Sequence, residues 1–193
     1  MSLTTQKLFC ALASEPLRGM DNLMKRVVLR SYRAGATIFA AGDRLHDLRI
    51  VRSGLLKLCY VLPSGDEWIK SLMAEGAFFS SIAALQPAGE ASFDAVAIEA
   101  CEIECLPFAP LMDLARADVA WAGLVNELLL AYATRKELRE RDLLTLKPEA
   151  RYRRFAETEP QMVGRVAQKD LAAYLGVTPV GLNRIIRRVE GKR

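Results

Sequence analysis

The stretch "VAQKDLAAYLGVTPVGLNRIIRRV", residues 166–189, predicts two short helices joined by a tight turn around one glycine. Gly176 suits the left-handed backbone conformation that commonly ends a helix. Thr178 can cap the N-terminus of the second helix, and Pro179 is favoured at the first helical position. Two helices joined in this way form a helix-turn-helix unit.

Helical spacing gives each predicted helix one apolar face. Leu171 and Leu175 share a face of the first helix, and the small side chain of Ala172 lets a second helix cross closely. The second helix turns four apolar side chains inward, which are Leu182, Ile185, Ile186 and Val189. Its outer face carries Val180, Gly181, Asn183, Arg184, Arg187 and Arg188.

The outer face of the second helix has the chemistry of a DNA-reading surface. Arginine can form two hydrogen bonds with the edge of guanine, and asparagine can form two with the edge of adenine. A small apolar side chain can contact the methyl group of thymine. Asn183 and Arg184 are therefore predicted to read bases beside Val180, and Arg187 to read a base or hold a phosphate. The predicted DNA-binding residues are Gln168, Lys169, Thr178, Val180, Asn183, Arg184, Arg187 and Arg188. Among them, Gln168, Lys169 and Arg188 are predicted phosphate contacts. The alternative is a helical hairpin with a solvated basic face.

The charge of the chain is divided unevenly. Residues 1–134 contain 12 Lys and Arg against 15 Asp and Glu, whereas residues 135–193 contain 15 against 8. A basic C-terminal segment that follows an acidic N-terminal segment favours a polyanion-binding domain joined to a domain with another role.

Short apolar runs separated by turn formers extend from Tyr32 to Leu106 and predict an antiparallel sandwich or barrel. Residues 55–73, "LLKLCYVLPSGDEWIKSLM", predict a hairpin in which Gly65 takes a positive φ angle. A short helical stretch from Thr5 to Met24 is expected to pack ahead of the strands.

A long helix is predicted at about residues 118–146, where helical apolar spacing continues without a proline. Val125, Leu128 and Tyr132 mark one apolar stripe, with Leu138 and Leu143 further on, and this stripe predicts the seam of a parallel dimer. The alternative is a helix that lies wholly on its own sheet.

The helix is predicted to end at Pro148, because the residue before a proline is disfavoured in the α region. We place a domain boundary there, with one domain at 1–146 and a second at 147–193.

The sequence lacks the residues that several classes of function require. The four cysteines have no C-x-x-C spacing and His46 is the single histidine, so the sequence predicts buried reduced thiols, no metal site, no cofactor and no catalytic residues. No apolar run is long enough to span a membrane, and the first twenty residues lack the layout of a secretory signal. We therefore expect a cytoplasmic protein that is not an enzyme.

Three blocks of the sequence resemble the Crp/Fnr family of transcription regulators. They are residues 40–58, "AAGDRLHDLRIVRSGLLKL", residues 75–79, "EGAFF", and residues 147–189, which include the two terminal helices. The first block carries the family pattern through Gly42, Asp43, Leu48 and Gly54. The resemblance implies an α+β fold with a cyclic-nucleotide-binding-like β-roll, a long dimerisation helix and an all-α C-terminal helix-turn-helix domain. It is nearest to a short subgroup without the β-hairpin wing.

The sequence departs from the resemblance at the effector site. Cyclic-nucleotide binders of this family have a Glu for the ribose and an Arg for the phosphate, whereas this chain has Ser80-Ser81 and Ala91-Ser92 at the corresponding positions. No serine replaces the charge-assisted bond from an arginine to a phosphate, so we predict no ordinary cAMP binding. Two alternatives remain, a vestigial filled pocket or a pocket for an unknown effector. Its predicted lining is Phe78, Ser80, Ser81, Ala91 and Ser92.

The resemblance implies a homodimeric, sequence-specific DNA-binding transcription regulator. Its implied partners are double-stranded DNA with a pseudo-palindromic operator, a second copy of the chain, RNA polymerase, and an unknown small-molecule effector or none. The alternative is an effector-binding dimeric module with a degenerate helix-turn-helix that no longer reads DNA.

Overall fold

The structure, a computed structural model, describes residues 3–189 and residue 191. The predicted helical stretch from Thr5 to Met24 resolves into two helices, α1 (Thr4–Leu12) and α2 (Met20–Met24). The strands are β1 (Val28–Tyr32), β2 (Thr37–Phe39), β3 (Asp47–Ser53), β4 (Leu56–Val61), β5 (Glu67–Met73), β6 (Phe78–Phe79), β7 (Asp94–Ala97) and β8 (Cys101–Pro107). The helices that follow are α3 (Phe108–Ala117), α4 (Val119–Thr145), α5 (Pro148–Thr158), α6 (Gln168–Leu175) and α7 (Pro179–Val189).

The strands form two antiparallel four-stranded sheets, in the orders β1-β8-β3-β6 and β2-β7-β4-β5. This arrangement confirms the predicted antiparallel architecture. The predicted hairpin is β4–β5, and Gly65 in its loop has a φ of 85°. The core of the roll contains an aromatic cluster in which the ring of Phe39 lies 6.3 Å from Phe79 and 5.6 Å from Phe93.

A buried carboxylate joins α1 to the roll. Glu104 on β8 is fully buried and accepts hydrogen bonds from the backbone N–H groups of Thr4 and Thr5, at 2.9 and 2.8 Å. The Thr5 hydroxyl donates a third bond at 2.7 Å. Because the first N–H groups of a helix lack partners within the helix, Glu104 acts as the cap of α1.

Replacing Glu104 with alanine should destabilise the protein by about 2–4 kcal/mol, because two buried donors and one partly buried donor lose their shared acceptor. Chemical unfolding measures the change. Glu104→Gln is the matched control, since it keeps the shape and one acceptor oxygen, and it should cost less. If the two substitutions lowered the free energy of unfolding equally, the capping role of Glu104 would be contradicted.

The predicted long helix is α4, which has 27 residues and is capped by the Asp118 carboxylate, 2.8 Å from the N–H of Ala120. Helix α3 immediately precedes α4 and buries Leu111, and it was not predicted from the sequence. In the part of the chain that the structure describes, no helix combines the length and the apolarity that a membrane span requires.

The stripe predicted as a dimer seam packs on the chain's own core. Leu128 is buried, and Val125 and Tyr132 are partly buried, in a cluster with Phe9 and Trp121. The assignment of this stripe to a dimer seam stays a prediction, because Val125 and Tyr132 are only partly buried within the single chain. Other leucines of α4 remain exposed, and they are Leu129, Leu130, Leu138, Leu143 and Leu144.

Three of the four cysteines are buried free thiols, as predicted. Burial raises the pKa of the Cys59 thiol to about 11. Cys10 is exposed, which corrects the prediction for that residue, because it lies on the outer face of α1.

The C-terminal helices share an apolar core with the β4–β5 hairpin. The hairpin side contributes Cys59, Ile69 and Leu72, together with Leu55 just before β4. The helices contribute Tyr152, Phe155, Leu171, Leu175, Leu182 and Ile185. The boundary between 1–146 and 147–193 stays a prediction, and the two segments are in direct contact.

Candidate nucleic-acid interface and sensory pocket

The helix-turn-helix has the local geometry that its sequence predicts. Gly176 follows α6 with a φ of 66°, in the left-handed region. The hydroxyl of Thr178 accepts a hydrogen bond from the N–H of Gly181 at 3.1 Å, which caps α7. Leu182 and Ile185 are buried under α7, and Ala172 is buried where the helices meet.

The opposite face of α7 is open to solvent. Asn183, Arg184 and Arg187 are exposed, and the Val180 side chain is 62% exposed. The four residues lie on one face because they recur at helical spacing. The opposite side of α7 packs in the apolar core that the C-terminal helices share with the β4–β5 hairpin, so the helix is anchored behind its exposed face.

The predicted phosphate contacts lie at the borders of this face. Gln168 and Lys169 are exposed in the first turn of α6. Arg188 is exposed, with its Nη1 atom 3.6 Å from Oε2 of Glu149, and Thr178 is exposed beside its cap. The structure therefore brings all eight predicted DNA-binding residues to the surface of one helix pair.

Ion pairs attach the helix pair to the sheets. Arg165, just before α6, lies 2.9 Å from a carboxylate oxygen of Glu75 and 2.7 Å from one of Glu99. These hydrogen bonds lower the pKa of Glu75 to about 2. Lys57 on β4 pairs with Asp170 of α6 at 3.1 Å. These ion pairs, together with the apolar core shared with the β4–β5 hairpin, attach the helix-turn-helix to the roll.

The predicted effector residues divide between two sides of a sheet. Ser81 is buried in the roll, where its hydroxyl accepts a hydrogen bond from the N–H of Ser92 at 3.2 Å, and Ala91 is buried in the same core. Phe78 and Ser80 instead line a cavity of about 260 Å³ against α4. One pocket lined by all five residues therefore stays a prediction, and in the structure neighbouring residues of this extended segment point to opposite faces.

Comparison with known proteins agrees with this geometry. Residues 29–118 match the family model of the cyclic nucleotide-binding domain. FixK2 from Bradyrhizobium japonicum has 20% identity and a TM-score of 0.69, over 86% of this chain and 85% of that chain. The catabolite activator protein of Thermus thermophilus has 28% identity and a TM-score of 0.55, over 96% and 87%. The chain has the Crp/Fnr architecture.

A third Crp/Fnr structure is the c-di-GMP responsive global regulator CLP of Xanthomonas campestris, with 16% identity, a TM-score of 0.68 and coverage of 89% and 90%. No curated protein sequence matches the chain. The Crp/Fnr structures share with this chain a β-sheet N-terminal domain, a long helix and a set of C-terminal helices.

The Crp/Fnr roll of this chain also contains cations that the sequence analysis missed. Arg49 is buried, with Nη2 3.0 Å from Oδ1 of Asp47 and its guanidinium 4.9 Å from the Phe39 ring centroid. Lys70 on β5 is partly buried, with Nζ 3.8 Å from the Phe93 centroid. The sequence does contain a signal, since Arg49 lies between Leu48 and Ile50 and Lys70 follows Ile69.

Lys70 should make stability depend on pH. Burial, together with the positive charges of Lys136 and Arg135, lowers the pKa of Lys70 from 10.5 to about 8. Between these values the unfolded state binds more protons than the folded state, so this group makes the free energy of unfolding rise with pH. Lys70→Met should therefore raise Tm by a few degrees near neutral pH, and the advantage should shrink toward pH 10.

Thermal unfolding at about pH 7 and about pH 10 measures this effect. The matched control is Lys25→Met, which removes an exposed lysine next to α2. A Tm difference between Lys70→Met and wild type that stays constant over this range would refute the prediction.

Proposed function

We propose that this chain is a sequence-specific DNA-binding transcription regulator of the Crp/Fnr type. The observation that carries the proposal is the exposed face of α7, where Asn183, Arg184 and Arg187 project from a helix anchored on its other side. These side chains have the donors and acceptors that read base edges in the major groove. The concentration of positive charge in residues 135–193 supports attraction to a polyanion.

We propose that the regulator acts as a homodimer through α4. The exposed leucines of α4 support this proposal, because Leu129 is 52% exposed and Leu144 is 77% exposed. A two-fold axis along α4 would set the two copies of α7 about 34 Å apart, or one turn of the duplex. The operator should then be a pseudo-palindrome.

We propose that the roll does not bind cAMP by the contacts that are usual in the family. Ser81 and Ala91 occupy the positions where the resemblance implies a ribose-binding Glu and a phosphate-binding Arg. The rings of Phe39, Phe79 and Phe93 in the interior of the roll support this proposal, since they fill space with apolar atoms.

Selection of bound duplexes from a random-sequence library tests the proposed function. We expect the purified protein to enrich one pseudo-palindromic site, with or without cAMP in the buffer. Affinity for that site should fall steeply with added salt, because bound phosphates release counterions. The absence of an enriched site in both buffers would instead favour an effector-binding module with a degenerate helix-turn-helix.

A further inference from the structure

The helix-turn-helix packs on the roll through an apolar core that both of them build. Buried side chains of β4, β5, α5, α6 and α7 belong to one cluster. Cys59 of the roll and Leu175 and Leu182 of the helix pair are at most 1% exposed in it. Two parts of a chain are expected to move relative to each other unless the surface between them is large and apolar. This packing therefore opposes a change in the orientation of α6 and α7 on the sheets.

Arg165 joins the two parts at the border of this core. Its Nε and Nη2 atoms lie 3.0 and 2.7 Å from the two carboxylate oxygens of Glu99. Its Nη1 and Nη2 atoms lie 3.0 and 2.9 Å from the two carboxylate oxygens of Glu75. One guanidinium group thus binds two carboxylates, each in the bidentate geometry that makes arginine pairs strong and directional.

Both carboxylates belong to the roll. Glu75 lies between β5 and β6, and Glu99 lies between β7 and β8. Oε1 of Glu75 also accepts a hydrogen bond from the N–H of Gly54, at 3.0 Å, in the turn between β3 and β4. A single exposed ion pair contributes little, whereas a bidentate network of several charges holds a defined geometry. The network therefore fixes the segment that enters α6 against three loops of the roll.

Two further contacts hold α6 itself. Lys57 on β4 is buried, and its Nζ atom lies 3.1 Å from a carboxylate oxygen of Asp170 in the first turn of α6. Arg139 on α4 donates to the backbone oxygen of Tyr174 in the last turn of α6, and its guanidinium lies 3.8 Å from the centroid of the Tyr174 ring. Helix α6 is therefore attached to the roll at its start and to the long helix at its end.

We propose that the contacts of Arg165, Lys57 and Arg139 form a lock that keeps the helix-turn-helix in one orientation, with Arg165 as the main positioning residue. The inference rests on the proposed function and the proposed dimer, because an orientation fixed relative to α4 also fixes the distance between the two copies of α7. The dimer then accepts operators of a single half-site spacing. DNA binding does not require a ligand that reorients the helix pair.

Hydrogen exchange of the full-length protein tests the lock without DNA. Arg165→Gln removes the guanidinium group, and because the Arg165 side chain is 28% exposed the variant should still fold. Backbone amides of α6 should exchange about fivefold faster or more, while those of β8 should not change. The matched control is Arg153→Gln, which removes an exposed arginine that pairs with Glu149 of its own helix at 3.0 Å, and it should alter neither segment. Unchanged exchange of α6 in Arg165→Gln would overturn the proposal.

Duplex binding tests the consequence of the lock for DNA. Wild type should bind the selected operator at least about tenfold more tightly than the same operator with one base pair inserted between its half-sites, because the insertion shifts and rotates one half-site. Arg165→Gln should bind the operator more weakly and reduce this preference to about threefold or less. Arg184→Ala should keep the preference, since the loss of a base contact does not release the helix pair.

The outcomes of the binding experiment separate the two proposals. An Arg165→Gln protein that keeps the full spacing preference, or that binds the operator more tightly than wild type, would overturn the lock. If wild type selected no operator, the proposed function would fail, and the exchange of α6 would still decide whether Arg165 holds the helix pair in place.

Discussion

Replacing Trp121 with alanine should destabilise the protein by about 3–5 kcal/mol and lower its Tm by roughly 6–20 °C. Trp121 is fully buried, and its indole N–H donates to the backbone oxygen of Arg18 at 2.8 Å. Its ring meets Phe9 edge to face, with centroids 6.3 Å apart. The substitution therefore leaves a large cavity, and the backbone oxygen of Arg18 loses its side-chain donor.

The matched control for this prediction is Trp68→Ala. Trp68 is 58% exposed, so its loss should cost no more than about 1 kcal/mol. Denaturant titration of the two variants beside wild type measures both changes. If the two substitutions had similar effects, Trp121 could not be the residue that joins α1, α2 and α4.

Replacing Arg184 with alanine should weaken binding to the selected operator by about 1–3 kcal/mol, or roughly 5–150-fold. The reason is the loss of a bidentate donor on the exposed face of α7. The substitution should also relax the preference at one operator position in each half-site. Arg184→Lys should recover little of this preference, because an ammonium group cannot reproduce the planar fork of a guanidinium.

Arg116→Ala is the control for a general loss of positive charge. Arg116 is an exposed arginine on α3 that pairs with Asp113 at 2.8 Å and lies outside the helix-turn-helix. Quantitative duplex binding at fixed salt, with the selected operator and a scrambled duplex, compares the variants. An Arg184→Ala protein with wild-type affinity and selectivity would exclude this residue from base reading.

The features that the sequence predicted well are those that depend on short-range conformational preferences. A left-handed glycine at 176, a capping hydroxyl at 178 and a proline at 179 act within one turn of chain, so their geometry could be read without knowing the fold. The exposed face of α7 followed from helical spacing in the same way.

The sequence leaves undecided which surface covers each apolar or polar face. The stripe with Leu128 was correctly identified as apolar, but apolar spacing on a helix does not say whether its own domain or a second copy covers it. Phe78, Ser80 and Ser81 are close in sequence, yet Phe78 and Ser80 line a cavity against α4 whereas Ser81 is buried in the roll, because side chains alternate along an extended segment.

The sequence by itself determined the antiparallel strands, the long helix, the helix-turn-helix and the basic outer face of α7, because local propensity and periodicity specify elements and their polar faces. Only the tertiary structure decided that Glu104 caps a helix 99 residues away, and that Lys70 of β5 stands near Arg135 and Lys136 of α4. These contacts join segments that are distant in the chain. Their energies depend on burial and desolvation, which exist only once the whole fold excludes water.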